Sequence, residues 1–359
     1  MPTIDFDTVS PWKDRKRVAL DNTGTVVGIH SATDTDEWEN PDDVSATYKE
    51  VDDSVNWSAY ESGGLNCMVQ VPKFWYKQYK DTDGWHFMIS PKPATGFSLH
   101  PAFYESDGTT PRDYYYISAF EGWVDGDSKL RSLPNKQPSA STNVTGTFTA
   151  FQGYASNVGT GWHLMDWNIL WAEQLQFFIE INTLYSQNTT NGYLGVTNLA
   201  SGTGNHSQNT GHTLDLGNAS GEKTISATNG VSGTTYPFSY RGHENLYGNI
   251  WKWVDGMVCN LLSGQIVTGG TTYTLDDTTT GHIDPSNFEA GVPGFYPCGP
   301  DLGSESTYLT DYLYRANNTA IIPLFGCGWC DGGQAGGLVL GLNGGASHSN
   351  RNIGGRAAL

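Results

Sequence analysis

The C-terminal segment, residues 324–359, constrains the fold of this chain more than any other stretch. It is rich in glycine without the Gly-X-Y period of collagen, and it stays apolar up to Leu359. An apolar end of this kind predicts a terminus tied into the fold, whereas most chain ends fray. A two-residue alternation inside it predicts a strand with one buried face. The alternating residues are Leu338, Leu340 and Leu342, with Val339, Gly341 and Asn343 between them.

The composition indicates a β-rich or loop-rich fold. The 359 residues include 44 Gly, 12 Trp and 19 Tyr, and only 16% are charged. Ordinary helical proteins carry more Lys, Glu and Leu. This length allows one large domain or two smaller ones.

The charge balance argues against nucleic-acid binding. The chain has 19 basic and 37 acidic residues, a net charge of −18, and no basic run. Binding to phosphates needs clustered Lys and Arg. Residues 31–62 hold many of the acidic groups, and we interpret them as a solvated face.

The cysteines and the N-terminal residues narrow the class of protein further. The five cysteines are Cys67, Cys259, Cys298, Cys327 and Cys330, an odd and scattered set that does not indicate a disulfide scaffold. Residues 1–17 lack the apolar core of a secretory signal, and no apolar run is long enough for a membrane span, so we expect no membrane insertion.

Metal and cofactor sites are not expected. The turn at 81–84, DTDG, lacks the later ligands of a calcium loop. His206, His212 and Asp215 lie in a Gly- and Asn-rich stretch with no supporting pattern around them. The sequence also lacks a nucleophile elbow, a phosphate-binding glycine loop and an HExxH motif.

Local patterns predict several elements. Hairpins are expected around 22–24, around the 81–84 turn and within 264–275. Apolar residues at helical spacing predict a helix over 168–185, capped by Asp166 or Asn168. Trp251 and Trp253 are predicted to share one face of a strand. Residues 258–320 otherwise read as a long loop.

Two stretches resemble known families. Residues 244–256, ENLYGNIWKWVDG, look like the signature of the formylglycine-generating-enzyme type of C-type lectin fold. The C-terminal segment resembles the variable proteins of diversity-generating retroelements, which carry a hypervariable region at the end of this fold. The resemblance implies an α+β, C-type-lectin-like domain over 65–359 with long loop insertions and a variable region at 324–359. Residues 1–64 are then a small β-rich segment for oligomerisation or attachment.

The family frame separates fixed from diversified positions. Leu340, Leu342, Ile353 and Arg356 would belong to the fold, and the mutable side chains would point outward. Trp329 is fixed in this frame, and we expect it to contribute to affinity together with Arg351, because hot spots favour Trp, Tyr and Arg. The diversified ligand-binding positions implied by the resemblance are Cys327, Gly328, Cys330, Asp331, Gly333, Gln334, Gly337, Leu338, Val339, Gly341, Gly345, His348 and Arg351.

This frame makes a prediction about stability. Substitutions at exposed positions usually change the free energy of unfolding by within about 0.5 kcal/mol. Gly341→Tyr should therefore leave the melting temperature nearly unchanged, whereas Gly354→Tyr should lower it.

The resemblance implies a hypervariable receptor-binding protein and not an enzyme. We expect a homotrimer at a phage tail-fibre tip, in contact with other tail proteins, that binds a bacterial cell-surface protein or glycan. The expected location is the virion, with the bacterial cell surface as the alternative. Two other functions remain open: a structural tail protein, and an oxidase that uses Cys327 and Cys330. The oxidase is disfavoured because neither thiol has a neighbouring Lys or His in sequence and no second ligand pair is present.

Overall fold

A computed structural model describes most of the chain. The described residues are 4–31, 37–38, 54–188, 204–275, 281–282, 288–289, 291–297, 311–316 and 318–359. Cys298 lies outside them, as do most of the acidic residues of the 31–62 stretch.

Helices form a small part of the described chain. They are α1 (Trp57–Ser62), α2 (Phe148–Ser156) and α3 (Trp167–Ile181). Short 3-10 turns occur at Phe6–Thr8, Trp12–Asp14, Pro101–Phe103, Ser186–Asn188, Leu214–Leu216, Leu261–Ser263 and Gly332–Gln334. Within the described ranges, no helix has the length and apolarity needed to cross a bilayer.

The caps of α3 explain its length. The Asp166 carboxylate accepts a hydrogen bond of 2.9 Å from the backbone N–H of Ile169, which confirms the predicted N-cap. The helix ends before the predicted 185 because Asn182 adopts a left-handed conformation, with φ of 53°.

Strands dominate the described chain, which is therefore mostly β-sheet. They are β1 (Lys16–Leu20), β2 (Val26–Ile29), β3 (Asn66–Pro72), β4 (Trp75–Asp81), β5 (Gly84–Ser90), β6 (Ser98–Leu99), β7 (Tyr114–Ser118), β8 (Trp123–Val124), β9 (Leu130–Arg131), β10 (His163–Leu164), β11 (Gly221–Glu222), β12 (Ile225–Ser226), β13 (Thr234–Thr235), β14 (Phe238–Tyr240), β15 (His243–Glu244), β16 (Trp251–Trp253), β17 (Met257–Asn260), β18 (Gln265–Thr268), β19 (Thr271–Thr274), β20 (Gly281–His282), β21 (Tyr312–Arg315), β22 (Leu324–Phe325), β23 (Leu340–Leu342), β24 (Ile353–Gly354) and β25 (Ala357–Ala358).

The first large sheet contains both ends of the chain. Its strand order is β10-β25-β7-β3-β1-β2, and all neighbours are antiparallel. The N-terminal hairpin β1–β2 therefore shares a sheet with β3, which begins after the predicted boundary at residue 64. The division into 1–64 and 65–359 stays a prediction, and any such division has to accommodate this pairing.

The second large sheet holds most of the C-terminal segment. Its strand order is β20-β21-β23-β22-β16-β24, with parallel pairs β21–β23 and β16–β24 and antiparallel pairs elsewhere. Strand β23 is an inner strand, since β21 and β22 flank it. Its residues Leu340, Gly341 and Leu342 are all buried.

Arg356 joins the two large sheets. The chain leaves β24 in the second sheet and enters β25 in the first, and Arg356 lies between them, fully buried. Its guanidinium donates hydrogen bonds of 3.0 Å to the Ser118 carbonyl and 2.9 Å to the Asn245 carbonyl. It also donates a hydrogen bond to the Glu244 carbonyl. The C-terminal segment is thus anchored in the fold, as its apolar end predicted.

The locally encoded hairpins are confirmed. Strands β1–β2, β4–β5 and β18–β19 pair as antiparallel hairpins. The last closes through Gly269 and Gly270, whose φ angles of 55° and 74° suit a tight hairpin turn. Strands β20 and β21 are among those that were missed, since both lie within the region that the sequence indicated to be a loop.

Candidate functional site

The pairing of the second sheet brings three chain segments to one edge. Strand β22 runs antiparallel to β16, β23 antiparallel to β22, and β24 parallel to β16. The end of β22 and the starts of β23 and β24 therefore lie where β16 begins. We call this side of the sheet the display edge.

Contacts confirm that these segments meet at the display edge. The amide of Asn352 donates a hydrogen bond of 3.4 Å to the Cys330 Sγ. The Arg351 guanidinium lies over the Trp329 ring, 5.3 Å from its centroid. The backbone N–H of Trp251, the first residue of β16, donates to the Asn352 carbonyl at 2.8 Å.

Five of the predicted ligand-binding residues present surface at this edge. Cys330 is exposed, and the other four are partly exposed. With Asn352 they form a continuous polar patch, which we call the display surface. Its members are Cys330, Asp331, Gly333, Gln334, Arg351 and Asn352.

The loop of the display surface is internally braced. The carboxylate of Asp331 accepts a hydrogen bond of 2.8 Å from the Gly328 N–H. The Gln187 amide donates hydrogen bonds of 3.0 Å to the Gly333 carbonyl and 2.5 Å to the Ala335 carbonyl. The phenol of Tyr314 donates to the Gln334 side-chain carbonyl. The side chains are therefore presented on an ordered backbone.

The expectation that all diversified side chains point outward is wrong for six of them. These are Cys327, Gly328, Gly337, Leu338, Val339 and Gly341, all of which are buried. Alternation predicted one exposed face for β23, but an inner strand covered on both sides has none. A Cβ on Gly337 would lie 2.9 Å from the Phe178 ring, and one on Gly341 would lie 3.1 Å from the Trp251 ring.

Trp329 is also fully buried, although it was expected to contribute to affinity. The ring of His206 packs edge-on against it, with centroids 5.1 Å apart, and Arg351 covers it from the display surface. Its Nε1 has no hydrogen-bond partner within the described part of the chain. Direct contact between Trp329 and a ligand would require Arg351 or His206 to move, so its role in affinity stays a prediction.

Gly345 and His348 lie away from the display surface. They follow the far end of β23, where Gly345 pairs with Ile321 and the N–H of His348 donates 2.9 Å to the Gly345 carbonyl. Among the described residues, no hydrogen bond or ring contact joins either of them to the display surface. Their role in binding stays a prediction.

Aromatic residues beside the display surface were not predicted. Tyr312 and Tyr314 lie on β21 with ring centroids 4.5 Å apart, and Tyr314 packs edge-on against Trp251 at 5.7 Å. The sequence YLYR at 312–315 has the two-residue period of a strand, which could have revealed them. Both rings are partly exposed, so they extend the patch with amphipathic surface.

A buried carboxylate, Asp311, holds the base of the display loop. It accepts hydrogen bonds of 2.7 Å from the Leu338 N–H and 3.4 Å from the Ser186 hydroxyl. The Ser186 hydroxyl also accepts a hydrogen bond of 3.0 Å from the Gly337 N–H. The carbonyl of Gly337 in turn accepts a hydrogen bond of 2.8 Å from the Gln174 amide. Burial raises the pKa of Asp311 to about 7, against these hydrogen bonds, which lower it.

Asp311→Asn is expected to change the pH dependence of stability. The unfolded carboxyl releases its proton near pH 3.9, but folded Asp311 retains it up to about pH 7. The folded state binds more protons in this window, so stability falls as pH rises through it. The variant side chain cannot ionise. Between pH 4 and pH 8 its free energy of unfolding should therefore rise by roughly 2–4 kcal/mol relative to that of wild type. Urea unfolding at several pH values measures this, and parallel curves for the two proteins would contradict it.

The 244–256 motif supports the display edge from within. The Lys252 ammonium forms an ion pair of 2.9 Å with Glu121, and both side chains are fully buried. Lys252 also donates 2.8 Å to the Gly248 carbonyl, and Asn249 donates to the second Glu121 oxygen. Burial lowers the pKa of Lys252 to about 8, although Glu121 opposes this. These polar residues of the motif therefore serve the fold in this chain.

The cysteine pair is poorly suited to thiolate chemistry. Burial, together with the nearby Asp331 carboxylate, raises the pKa of Cys327 well above its ordinary value and that of Cys330 to about 11. A nucleophilic or metal-binding thiol needs a lowered pKa. Among the described residues, no group of three or more His, Cys, Asp or Glu side chains is placed to hold a metal.

No family model matches the chain, and no curated protein sequence matches it. Several solved structures show a distant likeness to the chain. The Major Tropism Determinant U1 variant has a TM-score of 0.34 and 15% identity, over 81% of this chain and 64% of its own. The M1 variant of the same protein has a TM-score of 0.35 and 13% identity, over 99% of this chain and 73% of its own. PvdO from Pseudomonas aeruginosa has a TM-score of 0.34 and 11% identity, over 82% of this chain and 94% of its own. The chain spans 64% of the length of the U1 variant.

Proposed function

We propose that this protein is a ligand-binding protein that acts through the display surface without chemistry. One observation carries the proposal. In residues 324–359 the short strands are buried, while solvent-accessible polar side chains of the 330–334 loop and of residues 351–352 lie together at one edge of the sheet. A binding surface on loops held by a rigid scaffold is a common arrangement for recognition.

The composition of the surface fits recognition of a macromolecule. Arg351, Asp331 and Gln334 offer charge and hydrogen bonds, and Tyr312 and Tyr314 add aromatic area beside them. Arg and Tyr are enriched among residues that dominate binding energy. The bracing of the loop by Gln187 and Asp311 reduces the entropy lost when a partner binds.

A finer proposal follows from the sequence motifs. We infer a C-type-lectin-like fold of the formylglycine-generating-enzyme type, and a diversified receptor-binding protein of a phage tail fibre. The partner is then a bacterial cell-surface protein or glycan, bound by a trimer whose several weak contacts add up through avidity. Diversification would be concentrated at the exposed members of the predicted set, because the buried members support the sheet.

Loss of binding in an Arg351→Ala variant tests the display surface. Fluorescently labelled protein is titrated onto a panel of bacterial strains, and binding is measured by flow cytometry. Arg351→Ala should weaken binding about tenfold on a strain that wild type binds, in the range of hot-spot truncations. Lys92→Ala is the control, since Lys92 is an exposed cation outside both the display surface and the predicted ligand-binding set. Equal binding by wild type and Arg351→Ala, with both variants folded, would contradict the proposal.

The gene locus tests diversification separately. A diversified protein of this class needs a near-copy of its 3′ end close by, differing mainly at adenines, beside a reverse transcriptase gene. We expect both at the locus. A locus with neither feature would reject diversification while leaving the binding proposal to the titration above.

A further inference from the structure

One small sheet of the protein carries no charge. It consists of β17, β18 and β19 in that order and spans residues 257–275, a range that contains no Asp, Glu, Lys, Arg or His. We call it the uncharged sheet. The other locally encoded hairpins differ, since β1 holds Lys16 and Arg17, and β4 holds Lys77, Lys80 and Asp81.

The outward face of the uncharged sheet is apolar. The register places Val258 opposite Val267, and Val267 opposite Thr272, so these side chains form one row across the sheet. Val258 and Val267 are each 39% exposed, and Leu262, in the turn between β17 and β18, is 70% exposed. These are three of the six large apolar side chains that are exposed in the described part of the chain. The exposed apolar surface is therefore concentrated on this sheet.

Strand β19 is an unprotected edge strand. Strand β17 makes a further bridge on its far side, from Cys259 to Ile321, whereas β19 pairs only with β18 among the described residues. Such an edge can template pairing with another strand, and proteins usually block it with Lys, Pro or a bulge. The sequence of β19 (Thr271–Thr274) is TTYT, and its register with β18 is unbroken. The usual blocks are therefore missing from this strand.

Two residues of β19 turn their backbone groups toward the edge. Thr271 pairs with β18 beside the two-residue turn, and the N–H of Leu275 donates a hydrogen bond of 2.8 Å to the Gly264 carbonyl. Because backbone groups alternate in direction along a strand, the N–H and C=O groups of Thr272 and Thr274 point away from β18. The side chains of both threonines are exposed.

A second copy of β19 fits this edge about a two-fold axis. Antiparallel pairing centred on Tyr273 sets Thr272 opposite Thr274 of the second copy, and the reverse pair forms on the other side of the axis. The outward backbone groups then meet, so each pair exchanges both N–H···O bonds. Thr–Thr and aromatic pairs across strands are favourable. This self-complementarity is what a two-fold interface requires.

The charge of the chain favours a second copy as the occupant. Two copies that each carry −18 repel one another, and the repulsion is least where both contact surfaces are uncharged. A foreign partner would be selected by complementary charge, for which the uncharged sheet offers no group. The sheet therefore suits contact between like-charged chains.

We propose that the protein self-associates through the uncharged sheet, with β19 of two copies joined edge to edge in one antiparallel sheet. The row of Val258, Val267 and Thr272 then continues into uncharged side chains of the second copy, namely Thr274, Gln265 and Asn260. This contact is separate from the display surface, so it stands whether or not that surface binds a receptor. In a trimer, it would join one trimer to another.

Sedimentation equilibrium of the full chain tests this contact. The weight-average mass of wild type should rise at least twofold with concentration, with a dissociation constant of about 10–100 μM for so small an interface. The double variant Thr272→Lys/Thr274→Lys should associate about tenfold or more weakly, because each lysine then faces a lysine across the axis. Thr142→Lys/Thr145→Lys is the matched control, since both threonines are exposed in the loop before α2.

A charge swap identifies the second copy as the occupant. Thr272→Glu/Thr274→Glu should also lose self-association. An equimolar mixture of the Glu and Lys double variants should regain it, because opposite charges then face each other across the axis. The substituted side chains are exposed, so the variants are expected to fold, and circular dichroism checks that they do.

Three results would overturn the proposal. The first is an equal mass of wild type and the Thr272→Lys/Thr274→Lys variant at every concentration. The second is an equal loss of association in the Thr142→Lys/Thr145→Lys control, which would indicate a general charge effect. The third is a mixture of Glu and Lys variants that stays unassociated, which would mean that β19 does not face β19.

Discussion

Replacing Lys252 with Met is expected to lower the free energy of unfolding by about 3–5 kcal/mol. Lys252 and Glu121 form a fully buried ion pair. Removing the cation leaves the Glu121 carboxylate in the core with only the amides of Asn245 and Asn249 as described partners. Breaking one side of a buried pair exposes the full desolvation penalty of the remaining charge.

Chemical denaturation with matched variants measures this effect. Lys73→Met is the control, because its ion pair with Asp113 is exposed, with side-chain exposures of 39% and 72%. Exposed pairs contribute only about 0–1 kcal/mol. A second variant, Lys252→Met with Glu121→Leu, should recover much of the loss by removing both charges. Similar losses in Lys252→Met and Lys73→Met would show that the pair is not buried in solution.

Gly341→Tyr is expected to destabilise the protein by about 3 kcal/mol or more, or to prevent folding. The residue lies in the inner strand β23, and a Cβ there would sit 3.1 Å from the Trp251 ring and 3.3 Å from the Leu324 Cβ. A phenol ring has no space between these side chains. The sequence had predicted a nearly unchanged melting temperature, and the structure reverses that prediction.

Gly333→Tyr provides the comparison within the same predicted set. Gly333 is partly exposed, and a Cβ there would have no atom within 4 Å. Its substitution should change the free energy of unfolding by within about 0.5 kcal/mol. Thermal and urea unfolding of the two variants measure the contrast. Equal stability of Gly341→Tyr and Gly333→Tyr would mean that β23 has an exposed face after all.

Features that depend on neighbours in sequence were predicted well. The hairpins follow from turn residues and alternating strands, as in the DTDG turn between β4 and β5. The start of α3 follows from a capping Asp166 before an apolar stripe. These signals are local because turn geometry and capping bonds involve residues only a few positions apart.

The members of the display surface could be predicted only in part. The family frame drew attention to the C-terminal segment, but it did not separate Gly333, which is partly exposed, from Gly341, which is buried. Tyr314 was missed because β21 was interpreted as loop. His206 was noted in sequence, but nothing there indicated that its ring packs on Trp329.

The sequence alone determined the apolar, glycine-rich character of residues 324–359, their alternation and their anchoring in the fold. Only the tertiary structure decided which of these residues reach solvent. Alternation distinguishes the two faces of a strand, but burial of a face depends on what packs against it. For β23 the neighbours are β21 and β22, with Trp251 of β16 packed against Gly341, and these contacts join residues far apart in the chain. That long-range packing buries the strand residues and leaves solvent exposure to the loops of the segment.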